Sequence, residues 1–242
     1  STSNGSANDD GDKKNKKLST IVNRTLSVII IVLVILLVLK IFVVGSIAVS
    51  GGSMEPTYLP QGDSVTVNKL ATPKRGDIVV AFKYDVDNKL LAYFAPLSQC
   101  QPGKKYFKII KRAVAVEGDK IWTEKTASNQ YVFALNFDGE TYYEFYYWDE
   151  PQTKPYAERD RGHYVLAKSL EEAKAKYGQT VVQLTMTPQS NEWLTDYDSL
   201  ENCYVVPKDS FLAFGDNREI SQDSRSSDLK AVPNSRVVGV VI

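Results

Sequence analysis

The stretch F-K-I-I-K-R-A-V-A-V at residues 107–116 is short and rich in β-branched residues. Three further stretches share this composition: S-V-T-V-N-K-L at residues 64–70, D-I-V-V-A-F at residues 77–82 and R-V-V-G-V-V-I at residues 236–242. Runs of this kind, separated by Gly, Pro and Asp, are typical of strands. The sequence therefore predicts a mainly β domain.

A different pattern occupies residues 121–205. There Y-V-F-A-L-N-F at residues 131–137 and T-Y-Y-E-F-Y-Y-W at residues 141–148 flank Asp138-Gly139, an arrangement that predicts a β-hairpin. The rings of the second run fit either a contact with the membrane interface or a half-buried strand with rings on both faces. We favour the strand, because aromatic residues are common strand formers.

The two ends of one helix are visible in the same region. Ser169 and Glu172 have the spacing of a capping box, and Gly178 closes the run S-L-E-E-A-K-A-K-Y-G. A capping box satisfies free backbone N–H groups at the start of a helix, and glycine commonly follows its end. We therefore expect a short helix between Ser169 and Gly178.

Residues 25–44 form a continuous apolar run, T-L-S-V-I-I-I-V-L-V-I-L-L-V-L-K-I-F-V-V. About 20 helical residues, at about 1.5 Å each, span a hydrocarbon core of roughly 30 Å. Lys40 interrupts the run near its end, where a long side chain can extend to the interface. The run predicts a transmembrane anchor. The alternative is a cleavable signal peptide, whose apolar core of about 7–15 residues is shorter.

Positive charges precede this run, at Lys13, Lys14, Lys16, Lys17 and Arg24. Positive residues before a first span tend to remain in the cytoplasm. Residues 1–24 are therefore predicted as a cytoplasmic basic tail, disordered over residues 1–12 because these are small and polar. Residues 45–242 are predicted as one domain on the outer side of the cell membrane, large enough for its own core.

The composition excludes several functions. The formal net charge is zero, so bulk electrostatics predict no nucleic-acid partner. His163 is the single histidine, and neither Cys100 nor Cys203 has a C-x-x-C neighbour, which argues against a His/Cys zinc site. We expect no metal and no cofactor. An exported domain permits a disulfide between the two cysteines without requiring one.

Ser53 is a candidate nucleophile in G-G-S-M-E-P-T at residues 51–57, about nine residues after the apolar run. A serine hydroxyl needs a base within hydrogen-bond reach. His163 lies in D-R-G-H-Y at residues 160–164, which matches no catalytic motif and fits a surface or packing histidine. No G-x-S-x-G elbow surrounds Ser53.

Lys111 is the alternative base. Alternation along its strand places it on one face with Ile109 and Ala113, and an apolar setting lowers the pKa of a lysine. Lone lysines on strands usually face solvent, so the alternation alone does not show that Lys111 is a buried base.

Four motifs in a fixed order strengthen the assignment: G-G-S-M-E-P-T at residues 51–57, R-G-D-I-V-V-A-F at 75–82, K-R-A-V-A-V-E-G-D at 111–119 and G-D-N-R-E-I-S-Q-D-S-R at 215–225. With the N-terminal anchor they resemble bacterial type I signal peptidase, the leader peptidase with a Ser/Lys dyad, over about residues 47–242. The resemblance implies coiled antiparallel β-sheets behind one transmembrane helix. Residues 121–205 carry no motif and correspond to the family's variable second β-rich subdomain.

The resemblance also implies roles for individual residues. Ser53 would be the nucleophile, Lys111 the general base, and Ser221 the serine that orients the lysine amine by a hydrogen bond. Asp223 and Arg225 would form an ion pair that braces the site. Other residues would support the site: Arg112, Gly215, Asp216 and Asn217. Substrate would be bound by Met54, Gly51 and Gly52.

The implied function is a membrane-anchored serine endopeptidase that removes signal peptides from exported preproteins after small residues at −1 and −3. Its partners would be signal peptides and the lipid bilayer, and no obligate protein partner is evident. The chain departs from the family at Ala115 and Glu117, where Gly and Pro are usual. It also has Gly51 where some members carry a serine whose hydroxyl serves the oxyanion hole.

Two other functions fit parts of the pattern. A self-cleaving repressor-type Ser/Lys protease resembles the same fold around the dyad, but that group acts in the cytosol and the anchor argues against it. A membrane-tethered binding module that takes signal peptides by strand addition would not need Ser53 or Lys111. Both residues are present.

Overall fold

A computed structural model describes residues 6–57, 63–88, 91–92, 95–149, 162–187 and 193–242. The chain divides into two compact units, Ser1–Val44 and Gly45–Ile242. The helices are α1 (Ser6–Phe42) and α2 (Leu170–Tyr177). The strands are β1 (Val44–Ala48), β2 (Ser64–Asn68), β3 (Ile78–Phe82), β4 (Lys108–Val116), β5 (Lys120–Lys125), β6 (Tyr131–Phe137), β7 (Glu140–Tyr147), β8 (His163–Ala167), β9 (Val182–Gln183), β10 (Tyr204–Val205), β11 (Ser210–Phe214), β12 (Val232–Pro233) and β13 (Val237–Val241).

The first unit is helix α1. Its segment Lys16–Phe42 contains an 18-residue window with a mean hydropathy of 3.1 and is long and apolar enough to cross a membrane. The helix extends back to Ser6, so residues 6–12 are helical where the sequence predicts a disordered tail, and residues 1–5 lie outside the described residues. Once a helix has formed, each further residue adds a backbone hydrogen bond at little cost, so polar residues can prolong it.

The first sheet of the second unit has the order β1-β2-β13-β3-β4-β11-β12. Strands β2, β3, β4 and β13 form at the four stretches that the sequence predicts as strands. Strand β4 lies antiparallel between β3 and β11, with Lys111 opposite Val79 and Arg112 opposite Phe214. The prediction of a mainly β fold with antiparallel sheets is confirmed.

The second sheet has the order β10-β5-β6-β7-β8, with β9 added on β7. Strands β6 and β7 form the predicted hairpin, and both residues of its turn have positive φ, 52° at Asp138 and 79° at Gly139. Such a turn matches the twist of the strands that it joins. The aromatic run is therefore a strand, and the interior positions Phe145 and Tyr146 are buried.

Helix α2 begins as the capping residues predict. Ser169 Oγ accepts a hydrogen bond from the Glu172 N–H at 3.1 Å, and the Glu172 carboxylate accepts one from the Lys168 N–H. Gly178 follows the helix with φ of 92°. The helix buries Ala173 in a cluster with Phe145 and thereby covers part of the second sheet.

One apolar core joins the two sheets. It contains Val114 and Phe214 from the first sheet and Ile121, Phe133 and Leu135 from the second. The rings of Phe133 and Phe214 meet edge to face with centroids 5.0 Å apart. Strands β4 and β11 of the first sheet therefore carry part of the core that joins the two sheets.

Candidate active site

The side chains of Ser53 and Lys111 meet in the structure. Lys111 Nζ donates a hydrogen bond to Ser53 Oγ at 2.7 Å. Ser53 lies in a 3-10 turn, Gly52–Met54, and Lys111 in the middle of β4. The two residues are separated by 58 positions in the chain, so only the packing of the turn on the sheet brings them together.

The amine of Lys111 lies in a dry environment. The residue is 5% exposed, and Ile109 and Ala113, its neighbours on the same strand face, are buried. Burial lowers the pKa of this amine from 10.5 to about 8, because the charged form loses its hydration. The charges of Arg225 and Lys83 also lower it.

Two buried carboxylates, Asp223 and Asp216, act on the Lys111 amine in the opposite direction and keep its pKa from falling further. Each is itself paired with an arginine, so the site holds charges of both signs in a small buried volume.

The turn that carries Ser53 is fixed by the loop at residues 215–217. The N–H of Asn217 donates to the carbonyl of Ser53 at 3.0 Å. A Cβ at Gly215 would overlap both that carbonyl and the Ser221 hydroxyl, so only glycine permits this approach. Gly51 precedes the turn with φ of 82°, a conformation that favours glycine over serine.

Asp223 and Arg225 form a buried ion pair, as the resemblance implies. The guanidinium of Arg225 donates to both carboxylate oxygens, at 2.8 and 2.9 Å. Burial alone would raise the pKa of Asp223, but these bonds, the arginine charge and the Gly215 N–H hold it below its usual range. Arg225 also donates to the carbonyl of Arg218 and so braces the loop that faces Ser53.

Ser221 lies next to the Ser53–Lys111 pair. Its buried hydroxyl helps to hold the pKa of the Asp223 carboxyl below its usual range, whereas the Lys111 amine bonds to Ser53. The Ser221 hydroxyl also lies against Gly215, beside the Ser53 carbonyl. The role of Ser221 in orienting the amine stays a prediction.

Arg112, the neighbour of Lys111, binds the other buried carboxylate. Its guanidinium donates to both oxygens of Asp216, at 2.9 and 2.7 Å, and to the carbonyl of Gly76 at 2.7 Å. Asp216 also accepts a hydrogen bond from the Thr57 hydroxyl. Burial would raise the pKa of Asp216, but Arg112 holds it below its usual range.

A cleft of about 660 Å³ opens beside Ser53 and Lys111. Its wall is largely apolar and comprises Ile47, Ala48, Val80, Phe107, Ile109 and Ile110, with the free thiol of Cys100 among the remaining residues. An extended peptide laid along this cleft would bring a carbonyl to the Ser53 hydroxyl.

The three residues predicted to bind substrate differ in their surroundings. Gly51 lines the cleft, whereas Gly52 and Met54 are not among the described residues that do so. Met54 is fully buried and is the buried residue of the 3-10 turn Gly52–Met54. Its contact with substrate stays a prediction.

Several residues that the sequence analysis does not single out belong to the same buried network: Thr57, Arg218, Glu144, Tyr146 and Tyr164. Thr57 and Arg218 lie inside the motifs at residues 51–57 and 215–225, and this position could have identified them. Glu144 could have been identified as a charged residue within an aromatic strand. Nothing around Tyr164 marks it in the sequence.

His163 lies apart from the dyad. Its ring stacks on Tyr147 and lies 3.3 Å from the exposed carboxylate of Asp149, as expected of a surface histidine. Among the described residues, no cluster of three or more His, Cys, Asp or Glu side chains could hold a metal ion. Cys100 and Cys203 are both free thiols.

Comparison with known proteins identifies relatives across most of the chain. Residues 22–242 match the family described as signal peptidase, peptidase S26. Signal peptidase I of Aquifex aeolicus strain VF5 is 27% identical over 205 residues, which cover 76% of this chain and 69% of that protein. Signal peptidase IB of Staphylococcus aureus strain Mu50 is 25% identical over 204 residues, which cover 83% of this chain and 76% of that protein.

Proposed function

This chain belongs to the signal peptidases of family S26, and we propose that Ser53 is its nucleophile and Lys111 its general base. The protein is a serine endopeptidase that removes signal peptides, and the dyad is our assignment for how it does so. The observation that carries the assignment is the 2.7 Å contact between Lys111 Nζ and Ser53 Oγ, formed by a buried amine whose pKa is about 8.

The reaction follows from this contact. A neutral Lys111 amine takes the proton of Ser53 as Oγ attacks the carbonyl carbon of the scissile peptide bond. The resulting ammonium then protonates the leaving amine, and the C–N bond breaks to leave an acyl-enzyme. The amine next takes a proton from water as the water oxygen attacks the ester carbonyl; the bond from the acyl carbon to Oγ breaks, and the ammonium returns its proton to Ser53 Oγ. The backbone N–H of Ser53 is the donor that we assign to the oxyanion.

The cleft supports a preference for small residues at positions −1 and −3 of the substrate. Ala48, Val80 and Ile110 contribute apolar walls, which disfavour charged side chains, and the restriction to small residues is implied by the family resemblance. We assign the signal peptide to this cleft, with its cleavage site at Ser53.

The proposed topology places the N-terminus in the cytoplasm and residues 45–242 outside the membrane. It is supported by Lys16, Lys17 and Arg24, which precede the apolar run at residues 25–44, and by a helix long enough to span a bilayer. Signal peptides are themselves apolar segments inserted in the membrane, so an anchored enzyme meets its substrate at the outer surface.

The dyad is tested by incubating the purified full chain in detergent with a preprotein whose signal peptide ends in A-x-A. Ser53→Ala and Lys111→Ala are each expected to lose at least about 1000-fold in kcat/KM, since a dyad acts as a unit. Lys120→Met is a suitable control, because Lys120 is an exposed lysine on β5. Full cleavage by Ser53→Ala or by Lys111→Ala would exclude the assignment.

The pH dependence of the same reaction tests the base. Lys111 is protonated and inactive below its pKa of about 8, so kcat/KM should rise about tenfold per pH unit between pH 6 and 7.5 and level off above about 8.5. A profile that stays flat from about pH 5 to 9 would contradict lysine as the base, because a flat profile requires a group that does not titrate in this range.

A further inference from the structure

Strand β7 of the second sheet reaches the segment that carries the nucleophile. The hydroxyl of Tyr146 lies 2.7 Å from Thr57 Oγ1, and Thr57 donates in turn to the Asp216 carboxylate. Tyr146 is 1% exposed. With Thr57 donating to Asp216, Tyr146 is the donor to Thr57, and the three groups form a buried chain.

This series of hydrogen bonds connects to the segments that carry both Ser53 and Lys111. Thr57 follows Ser53 by four residues, and Asp216 immediately precedes Asn217, whose N–H holds the Ser53 carbonyl at 3.0 Å. Asp216 is also the ion-pair partner of Arg112, the neighbour of Lys111 on β4. A shift of Thr57 would therefore act on the segments that hold the nucleophile and the base.

A second residue of β7 reaches the same loop. Glu144 lies two positions before Tyr146, so both side chains project from one face of the strand. The Glu144 carboxylate accepts hydrogen bonds from Arg218 at 2.7 Å and from the Tyr164 hydroxyl at 2.8 Å. Arg218 in turn donates to the carbonyl of Gly215, the glycine packed against Ser53.

The burial of these groups calls for an explanation beyond packing. A tyrosine hydroxyl and a carboxylate each lose hydration in a dry interface, and the loss is offset only when their hydrogen bonds are complete. Phenylalanine at position 146 would fill the same volume without that cost. We attribute the presence of the Tyr146 hydroxyl and the Glu144 carboxylate to the segments that they hold in place.

We propose that Tyr146 and Glu144 are positioning residues of the peptidase, through which the second sheet holds Thr57 and Arg218 so that Ser53 stays within reach of Lys111. This inference rests on the proposed dyad. It makes the region without a motif part of the catalytic apparatus, although neither residue contacts the reacting atoms.

The test uses Tyr146→Phe, which removes the hydroxyl and keeps the ring. The matched control is Tyr143→Phe on the same strand, whose hydroxyl bonds to Glu124 at 3.0 Å, away from Thr57. Cleavage of the A-x-A preprotein is measured for the full chain, with thermal melting to set a temperature at which every variant is folded. We expect Tyr146→Phe to lower kcat about tenfold with KM within about twofold, because a small displacement of a catalytic group slows the chemical step.

The path through Thr57 is tested by a double variant. Thr57→Val removes the hydroxyl isosterically and should lower kcat at least as much as Tyr146→Phe. If Tyr146 acts through Thr57, the double variant loses no more kcat than Thr57→Val alone. If the two losses multiply instead, the path is wrong.

Two other results would overturn the inference. A kcat for Tyr146→Phe equal to that of Tyr143→Phe would show that the hydroxyl does not position the site. A lower melting temperature with unchanged kcat would reduce Tyr146 to a structural role.

If the wild-type chain itself fails to cleave, or Ser53→Ala cleaves as well as wild type, the proposed function fails first and this inference falls with it. Poor folding of Tyr146→Phe would leave Thr57→Val, on its own, to carry the same expectation.

Discussion

The two sheets of the folded unit use their polar residues in different ways. In the first sheet, charged side chains from β4 and from the loop after β11 converge on one point, with Lys111 and Arg112 from the strand and Asp216 and Asp223 from the loop. In the second sheet, aromatic rings stack on one another along β7, as Tyr147 does on His163 and Tyr177.

The difference teaches where chemistry and support lie. The proposed dyad comes from short motifs in a turn and in β4 of the first sheet, whereas its proposed support comes partly from Glu144 and Tyr146 in a region without any motif. Variants that separate the contributions of the two sheets therefore test the comparison directly.

The largest expected effect on stability lies in the loop that follows β11 of the first sheet. Arg225→Met leaves the Asp223 carboxylate buried without its partner, and breaking such a pair costs about 3–5 kcal/mol of the free energy of unfolding. The control is Arg236→Met, just before β13, because its partner Asp85 is 79% exposed and solvent replaces the arginine. Urea unfolding of both variants measures the difference. Equal losses would show that burial of the pair is not what matters.

The contact between the sheets should come next. Glu144→Gln keeps the shape of the side chain but leaves the buried Arg218 guanidinium without a counter-charge, at a cost of about 2–4 kcal/mol in the free energy of unfolding. Glu140→Gln on the same strand, where the carboxylate pairs with Lys168 at the surface, should cause no measurable change. Indistinguishable unfolding curves for the two variants would remove the claim that β7 is anchored to the loop by charge.

The dyad lysine should oppose folding at neutral pH. Its pKa falls from 10.5 to about 8, so below pH 8 the native state holds a buried ammonium that the unfolded chain exposes to water. Lys111→Met should therefore raise the free energy of unfolding by roughly 1–3 kcal/mol below pH 8, and the gain should vanish as pH rises to 10.5. Lys120→Met in the second sheet serves as the control, with no expected gain. A destabilised Lys111→Met at pH 7 would contradict the depressed pKa.

The smallest effect concerns a neighbouring charge. Lys83 lowers the pKa of Lys111, so Lys83→Met should move the rising limb of the kcat/KM profile to higher pH by about 0.2–0.5 units. The exposed Lys125 on β5 offers a matched control, because Lys125→Met lies in the second sheet. A shift toward lower pH in Lys83→Met would have the wrong sign for a cation near the base.

The sequence predicts the strands of the first sheet because their composition and flanking residues act locally. It also predicts that Lys111 shares a face with Ile109 and Ala113, since strand alternation is a local property. The contacts of Thr57 with Tyr146 and of Arg218 with Glu144 could not be predicted. They depend on how one sheet packs against the other, and the residues lie 89 and 74 positions apart.

Two expectations for individual side chains depend on the same non-local geometry. Motif position alone suggests that Ser221 orients the lysine amine and that Met54 lines the substrate pocket. In the structure the Ser221 hydroxyl lies beside Gly215 and Met54 is buried, and both roles stay predictions. Rotamer and direction follow from the surrounding packing, which a motif does not encode.

The free thiol of Cys100 in the wall of the cleft makes the site open to direct observation. A fluorophore attached there, with Cys203 replaced by serine, would lie near Ser53 without altering either member of the dyad. Its emission would change as a peptide enters the cleft, so the arrival and departure of substrate could be timed separately from bond cleavage. The same thiol offers an attachment point for electrophilic ligands that occupy the cleft and block it while Ser53 remains unmodified.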